Sequence, residues 1–341
     1  MSNYILEREK IVKLFNERFY KADFNAFALE VFRFQHEYNS TYRSFCDLLG
    51  INPLQITSPE QAPFLPISFF KNYVIKTGQW KGDVVFGSSG TTGSIRSKHH
   101  IRSEEFYLEN AKEGFIEAFG PIKDYCFLAI LPGYTERPDS SLVSMVNSFI
   151  KQSDYAFSGY YLGKETELIE VLNQCKSEGI PTVLFGVSFA LLDLCKYQID
   201  FPGLQVIETG GMKTSKIEMS KEEIIAKFRK AWNLDAVGSE YGMTELLSQS
   251  YSSNGKWYQS ASTKKIYIGE LRDPLELEKN HKTGIIKVID CANFDTCSFI
   301  ETQDLGILND RSEFQVLGRM DNAELRGCNL LLDESLEDPV S

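Results

Sequence analysis

The apolar positions along the chain change their period part-way. Through residues 4–60 they recur at helical spacing: Ile11, Leu14, Phe15 and Phe19 share a face, and Asp23 stands as an N-cap before a second helix carrying Phe27, Val31 and Phe34. Pro63 and Pro66 punctuate a connector leading to Phe69-Phe70-Lys71. Beyond it, short apolar runs at 83–87, 125–131, 182–186, 204–208, 265–268 and 284–289 read as strands. Helical stretches lie between them, notably 104–118, with Leu108, Ala111, Phe115 and Ala118 on one face, and 221–232. This alternation predicts an α/β fold with a largely parallel sheet. After about residue 260 strands follow one another, which predicts a smaller β-rich subdomain. The expected organisation is a helical segment (1–60) packed on an α/β core (61–260), then a β-rich subdomain (261–320) and a short tail (321–341).

Composition narrows the class. A 341-residue chain with 43% hydrophobic and 24% charged residues is globular rather than disordered. At that size about 75% of the unfolded surface can be buried. Thirty-six Lys and Arg against 47 Asp and Glu give a net charge of −11. Such a body repels nucleic-acid phosphate and anionic lipid, so neither is an expected partner, although a local basic cleft can still hold a phosphate. No apolar stretch approaches the ~18 residues of a membrane span, and MSNYILEREK is charged where a signal peptide needs an apolar run. Seven scattered cysteines without a CxxC pair, and four histidines, argue against a zinc site or a disulfide framework. The expectation is a reduced, cytoplasmic protein.

The chemistry concentrates first at residues 87–98. Gly87-Ser88-Ser89-Gly90-Thr91-Thr92-Gly93-Ser94 packs three glycines and five hydroxyls after a strand and ahead of the helical run, and Arg96 and Lys98 follow. Glycines let backbone N–H groups turn toward a phosphate, hydroxyls add donors and cations balance charge. Five residues separate Gly87 from Gly93 and Ser94 follows, so this is not a Walker loop. Further along come Gly210-Gly211-Met212-Lys213 after a strand, Tyr241-Gly242-Met243-Thr244-Glu245, Thr302-Gln303-Asp304 in the run FIETQDLGIL, and Gly318-Arg319-Met320-Asp321.

In this order, these motifs resemble those of the adenylate-forming superfamily, which includes acyl-CoA ligases, luciferases and adenylation domains. Ser88 to Gly93 match its phosphate loop fully, while Ile95 and Arg96 stand where Pro and Lys are usual. The resemblance implies the superfamily's N-terminal core fold, with helix-flanked sheets and a β-rich subdomain, and ATP with Mg²⁺ as cofactors. Ser88, Ser89, Gly90, Thr91, Thr92, Gly93 and Arg96 would hold phosphates. Gly210, Gly211 and the Tyr241 ring would hold adenine, with Gly242 and Met243 in the same turn. Thr244 would meet the α-phosphate, Glu245 the metal, and Asp304 and Arg319 the ribose. Gln303 departs from the usual Gly.

Only 20 residues follow Asp321, too few for the superfamily's lid domain with its catalytic lysine. The remaining pattern is similar to the LuxE-type acyl-protein synthetases. Its points of likeness are Leu65-Pro66-Ile67-Ser68-Phe69-Phe70-Lys71, the Gly-Gly-x-Lys, the Tyr-Gly-Met-Thr-Glu, and Gly318-Arg319 through Arg326-Gly327-Cys328. The family likeness implies activation of a carboxylic, fatty or aryl, acid as acyl-AMP. The acyl group would pass to Cys328 and then to an acyl-accepting reductase or carrier protein. Lys213 stands in as a candidate stabiliser of the pentavalent phosphorus. The acyl pocket is expected near Phe185-Gly186-Val187-Ser188-Phe189, Tyr160 and Tyr161. Two alternatives stay open: a lid-less acyl- or aryl-CoA ligase of the phenylacetate type, and a catalytically degenerate nucleotide- or acyl-binding protein. Gly186-Val187-Ser188-Phe189-Ala190 imitates a hydrolase elbow, but its last Gly is Ala and no oxyanion motif accompanies it.

Overall fold

The computed structural model describes residues 3–21, 23–89, 95–133, 135–210 and 219–320, with backbone alone at 18–21. Three helices open the chain: α1 (Asn3–Lys21), α2 (Phe24–Tyr38) and α3 (Ser40–Leu48). The Asp23 carboxylate accepts from the Asn25 N–H and caps α2, as its spacing predicts, and Phe27, Val31 and Phe34 are buried. Next come β1 (Leu65–Pro66), α4 (Phe69–Asn72), β2 (Val84–Gly87), β3 (Lys98–Ile101) and α5 (Glu104–Phe119). The α/β portion continues with β4 (Cys126–Ile130), α6 (Ser141–Gln152), β5 (Gly159–Tyr160), α7 (Glu165–Glu178), β6 (Thr182–Val187), α8 (Ser188–Leu194), β7 (Gln205–Thr209), α9 (Lys221–Trp232) and β8 (Gly238–Tyr241). Strands β9 (Ser250–Ser252), β10 (Gln259–Ser260), β11 (Lys264–Gly269), β12 (Gly284–Asp290), β13 (Phe299–Leu308) and β14 (Phe314–Arg319) follow.

The larger sheet has the order β10-β9-β8-β7-β6-β4-β5. Strands β4 to β8 pair in parallel, and β9 and β10 add antiparallel. Its central strands β4 (CFLAI) and β6 (TVLFGV) read as near-continuous apolar runs because both faces are covered. Along β4, Phe127 and Ala129 enter one core cluster with Phe115 of α5 and Phe149 of α6. Cys126, Leu128 and Ile130 enter the other with α7, α8 and α9. The second sheet runs β11-β12-β13 antiparallel, with β1 and β14 sharing the far edge of β13.

Two local expectations are corrected. Helix α5 buries Tyr107, Asn110, Ala111, Gly114 and Phe115, whereas Leu108 is half-buried and Ala118 exposed. The face is rotated because two polar groups find partners inside: the Tyr107 hydroxyl donates to the Ser141 carbonyl (2.9 Å) and the Asn110 amide to the Leu247 carbonyl (2.8 Å). Apolar spacing alone does not flag a buried asparagine. The glycine- and serine-rich loop, in turn, leads from β2 into β3, an antiparallel partner with Gly87 opposite Lys98, and not directly into a helix. Gly87 and Lys98 close the stem of a hairpin.

Candidate active site

The register of the larger sheet brings two motifs together. Thr209 lies opposite Glu240 in the parallel β7–β8 pair, so Gly210 and Tyr241 leave the carboxyl edge side by side. That edge is where open α/β sheets take ligands. Among the described residues, nothing lies within 4 Å of a Cβ built on Gly210. Gly211 and Lys213 lie outside the described residues, as do Gly90, Thr91, Thr92, Gly93 and Cys328.

Tyr241 joins the two sheets. Its hydroxyl donates to Asp304 Oδ2 at 2.9 Å, and its ring packs against Phe314 (5.4 Å) and Tyr258 (5.9 Å). Asp304 pairs across β13–β14 with Arg319, which donates to Gln303 Oε1 at 2.8 Å. Gln303, the departure from the expected glycine, therefore holds the arginine beside the aspartate. Burial pushes the Asp304 carboxyl above its ordinary value, against the Tyr241 hydrogen bond and the Arg319 charge.

The turn after Tyr241 is braced from several elements. His99 of β3 donates from Nδ1 to the Thr244 carbonyl (2.7 Å), Asn293 donates to the Glu245 carbonyl (2.8 Å), and Asp290 accepts from the Leu247 and Ser248 N–H groups. Glu245 is buried, and Gly242, Met243 and Thr244 are half-buried. Local sequence gives no sign of this scaffold, since its members lie 42 to 145 residues from the groups they hold.

The loop stem is closed by its own residues. The Ser97 N–H donates to Ser88 Oγ, and Arg96 donates to the Ser88 carbonyl and to Asp139. Arg137 also donates to Asp139. Burial works upward on Asp139, but these two guanidinium groups hold its carboxyl below the usual range. Arg96, expected on phosphate, here rests on a carboxylate; Ser89 is exposed.

A buried polar network lies beneath. Ser188 donates to Glu208, Ser239 donates to Glu208 at 2.8 Å, and Lys221 pairs with it at 3.4 Å. The Ser188 hydroxyl is thus committed to the Glu208 carboxylate, and His281, the one histidine that follows it in the sequence and the base an elbow would need, pairs with Asp310 instead. Phe185 is fully buried core rather than pocket wall, and Tyr161, also buried, donates to the Phe157 carbonyl. Phe189 is exposed, and half-buried Tyr160 donates to the Val143 carbonyl. On the other face Lys264 is buried, donates to the Ser248 carbonyl (2.8 Å), and has its pKa pushed down to about 8 by burial.

Residues 147–337, more than half of the chain, match the acyl-protein synthetase family LuxE, and the chain belongs to that family. The fold is the core of the adenylate-forming enzymes. A 2-hydroxyisobutyryl-CoA ligase in complex with 2-HIB-AMP and CoA superposes with a TM-score of 0.63 at 14% identity, over 86% of this chain and 67% of that one. The same ligase in its postadenylation state, with R3-HIB-AMP, gives 0.64 at 12% identity, over 87% and 68%. ATP-bound MatB from Rhodopseudomonas palustris gives 0.53 at 15% identity, over 71% of this chain and 49% of its own length. The chain thus spans about half to two thirds of these enzymes. No curated protein matches the sequence. Among the described residues no helix is long and apolar enough to cross a membrane.

Proposed function

We propose that the protein activates a carboxylic acid, a fatty acid in the first instance, as its acyl-adenylate and passes the acyl group to a thiol. The observation that carries this reading is the arrangement at the carboxyl edge. Tyr241, Asp304 and Arg319 meet beside Gly210, and the Ser/Gly hairpin is tied to the Thr244 turn through His99. An aromatic face suits a purine, and a carboxylate with two acceptor oxygens suits a ribose diol. Ser88, Ser89, Gly90, Thr91, Thr92 and Gly93 would cradle phosphates, joined by Arg96 once it leaves Asp139. Among the described residues no cluster of three or more His, Cys, Asp or Glu gathers as a metal site. A site built on one carboxylate, that of Glu245, would suit Mg²⁺, which keeps waters and takes further oxygens from phosphate. Bound there, the ion would neutralise phosphate charge.

In the first step a carboxylate oxygen of the acid attacks the α-phosphorus and pyrophosphate leaves. Lys213 would steady the charge on that phosphorus. In the second, a thiolate attacks the acyl carbon, the thiol proton goes to solvent, and AMP leaves. Cys328 is the proposed thiol, with a reductase or carrier protein as the next acceptor. In support, five of the six described cysteines are buried, and burial raises the thiol pKa of the half-buried Cys195. The test is intact mass after incubation with ATP, Mg²⁺ and a panel of fatty and aryl acids, beside Cys328→Ser. An ATP-dependent acyl-sized increase that is lost in the variant supports the proposal. ATP–pyrophosphate exchange without a mass increase moves the acceptor to coenzyme A or another protein. With neither signal the activation reading fails.

A further inference from the structure

His99 stands on the strand that carries the Ser/Gly hairpin, opposite Phe86, and is fully buried. Its Nδ1 lies 2.7 Å from the Thr244 carbonyl, which can only accept, so Nδ1 carries the proton. Its Nε2 lies 2.9 Å from Thr296 Oγ1, whose single hydroxyl proton serves this nitrogen and Asn293 Oδ1 in turn. Thr296 Oγ1 also lies against Asn293 Oδ1, and Asn293 donates its amide to the next carbonyl of the turn, that of Glu245. Two consecutive peptide groups are thus gripped by one closed set of three side chains. The Phe70 ring meets the imidazole edge-on at 5.4 Å, which helps to fix its plane. Burial lowers the imidazole pKa to about 4, so the ring is neutral and keeps one donor and one acceptor across the working pH range.

Resting on the proposed nucleotide site, we infer that His99 is a positioning residue: it sets the Thr244–Glu245 peptides against β3 so that the turn is held ready for Mg·ATP. A side chain that only filled space would be replaceable by any residue of similar size. One that positions through Nδ1 has a specific pattern of rescue, because an Asn amide can reach the Nδ1 position and a Gln amide reaches the Nε2 position instead.

The experiment titrates the full chain with ATP, with and without Mg²⁺, by calorimetry, comparing wild type with His99→Asn, His99→Gln and His99→Leu. Thermal unfolding is recorded on the same samples. Thr296→Val, which removes the hydroxyl shared by His99 Nε2 and Asn293 Oδ1 and leaves the Nδ1 bond in place, serves as a milder fourth variant. The expected result is that Gln and Leu weaken Mg·ATP binding about tenfold or more. Asn should stay within about threefold of wild type, and binding without Mg²⁺ should change less in every variant. Equal Mg·ATP affinity in all folded variants would overturn the positioning role and leave the nucleotide site standing. A wild type that binds no ATP would overturn both, and that outcome is distinct because it appears before any substitution is made.

Discussion

The Tyr241 hydroxyl at the end of β8 donates to the Asp304 carboxylate on β13 across 2.9 Å, tying two sheets together through residues 63 apart in sequence. Both belong to motifs singled out by their chemistry, and the bond shows that they face one space. It also explains how a half-buried carboxylate is tolerated there: a phenol donor and the nearby Arg319 offset part of its desolvation.

Asp304 is thus held at a cost in stability, which its proposed role on the ribose would explain. Burial raises its pKa in the folded state, so the native protein holds the proton more tightly than the unfolded chain. The contribution is favourable below the unfolded value near 3.9 and is lost as pH rises through the folded value. At pH 7 the charged carboxylate therefore opposes folding. Asp304→Asn should raise the unfolding temperature of the nucleotide-free protein at pH 7 relative to pH 4, while ATP affinity falls about tenfold or more. Thermal scans across that range and a nucleotide titration check this. A variant less stable at pH 7 than wild type by the same margin as at pH 4 would contradict it.

Arg96 and Asp139 form a pair with both side chains more than a third exposed, a class that contributes at most ~1 kcal/mol. A polyphosphate can outcompete such a carboxylate for the guanidinium. Asp139→Asn should therefore change the KM for ATP by less than about threefold, whereas Arg96→Ala should raise it about tenfold. The two measurements together separate a phosphate-binding arginine from one that merely closes the loop stem. If both variants fall by the same factor, the pair is structural.

Gly242 follows Tyr241 with Glu240 behind it. A Cβ built there falls 2.3 Å from Glu240 Oε1 and 3.6 Å from Gln249 Cγ. Glu240 is buried and accepts from the Thr209 hydroxyl at 2.7 Å, so it can move only by giving up that bond. Gly242→Ala should cost roughly 1–3 kcal/mol of stability, seen as a lower denaturation midpoint. In a Glu240→Ala background the same substitution should cost much less, and a double-mutant cycle reads the difference. Additive losses would place the strain elsewhere.

The sequence carried most of the architecture and the motif residues of the candidate site, but not what braces them. Helix α9 occupies 221–232 and β7 lies within a residue of 204–208, because Ser220 caps the first and an unbroken apolar run marks the second. Glycines, an aromatic and carboxylates in a recurring order marked Gly210, Tyr241, Glu245 and Asp304. The bracing of the turn by His99, Asn293 and Asp290 was not legible, since a buried histidine or asparagine has no local pattern and its partners are set by how the sheets dock. The Arg96–Asp139 pair escaped for the same reason, with 43 residues between its members.

Lys264 gives the clearest pH signature. It is buried on β11, donates to the Ser248 carbonyl, and faces the carboxylates of Asp290 and Glu240 and the ring of Tyr241. Burial lowers its pKa to about 8, below the ~10.4 of an unfolded lysine. Below pH 8 both states are charged and the full cost of the buried ammonium is present. Between about 8 and 10.4 the folded protein sheds the proton first, the unfolded state binds more protons, and stability rises with pH. Lys264→Met removes that rise at a pH-independent cost of about 1 kcal/mol for the unpartnered Ser248 carbonyl. The variant should therefore compare better with wild type at pH 7 than at pH 10, as judged by urea midpoints at both values. Parallel curves for the two proteins would mean that Lys264 titrates normally and that water reaches it in the folded state.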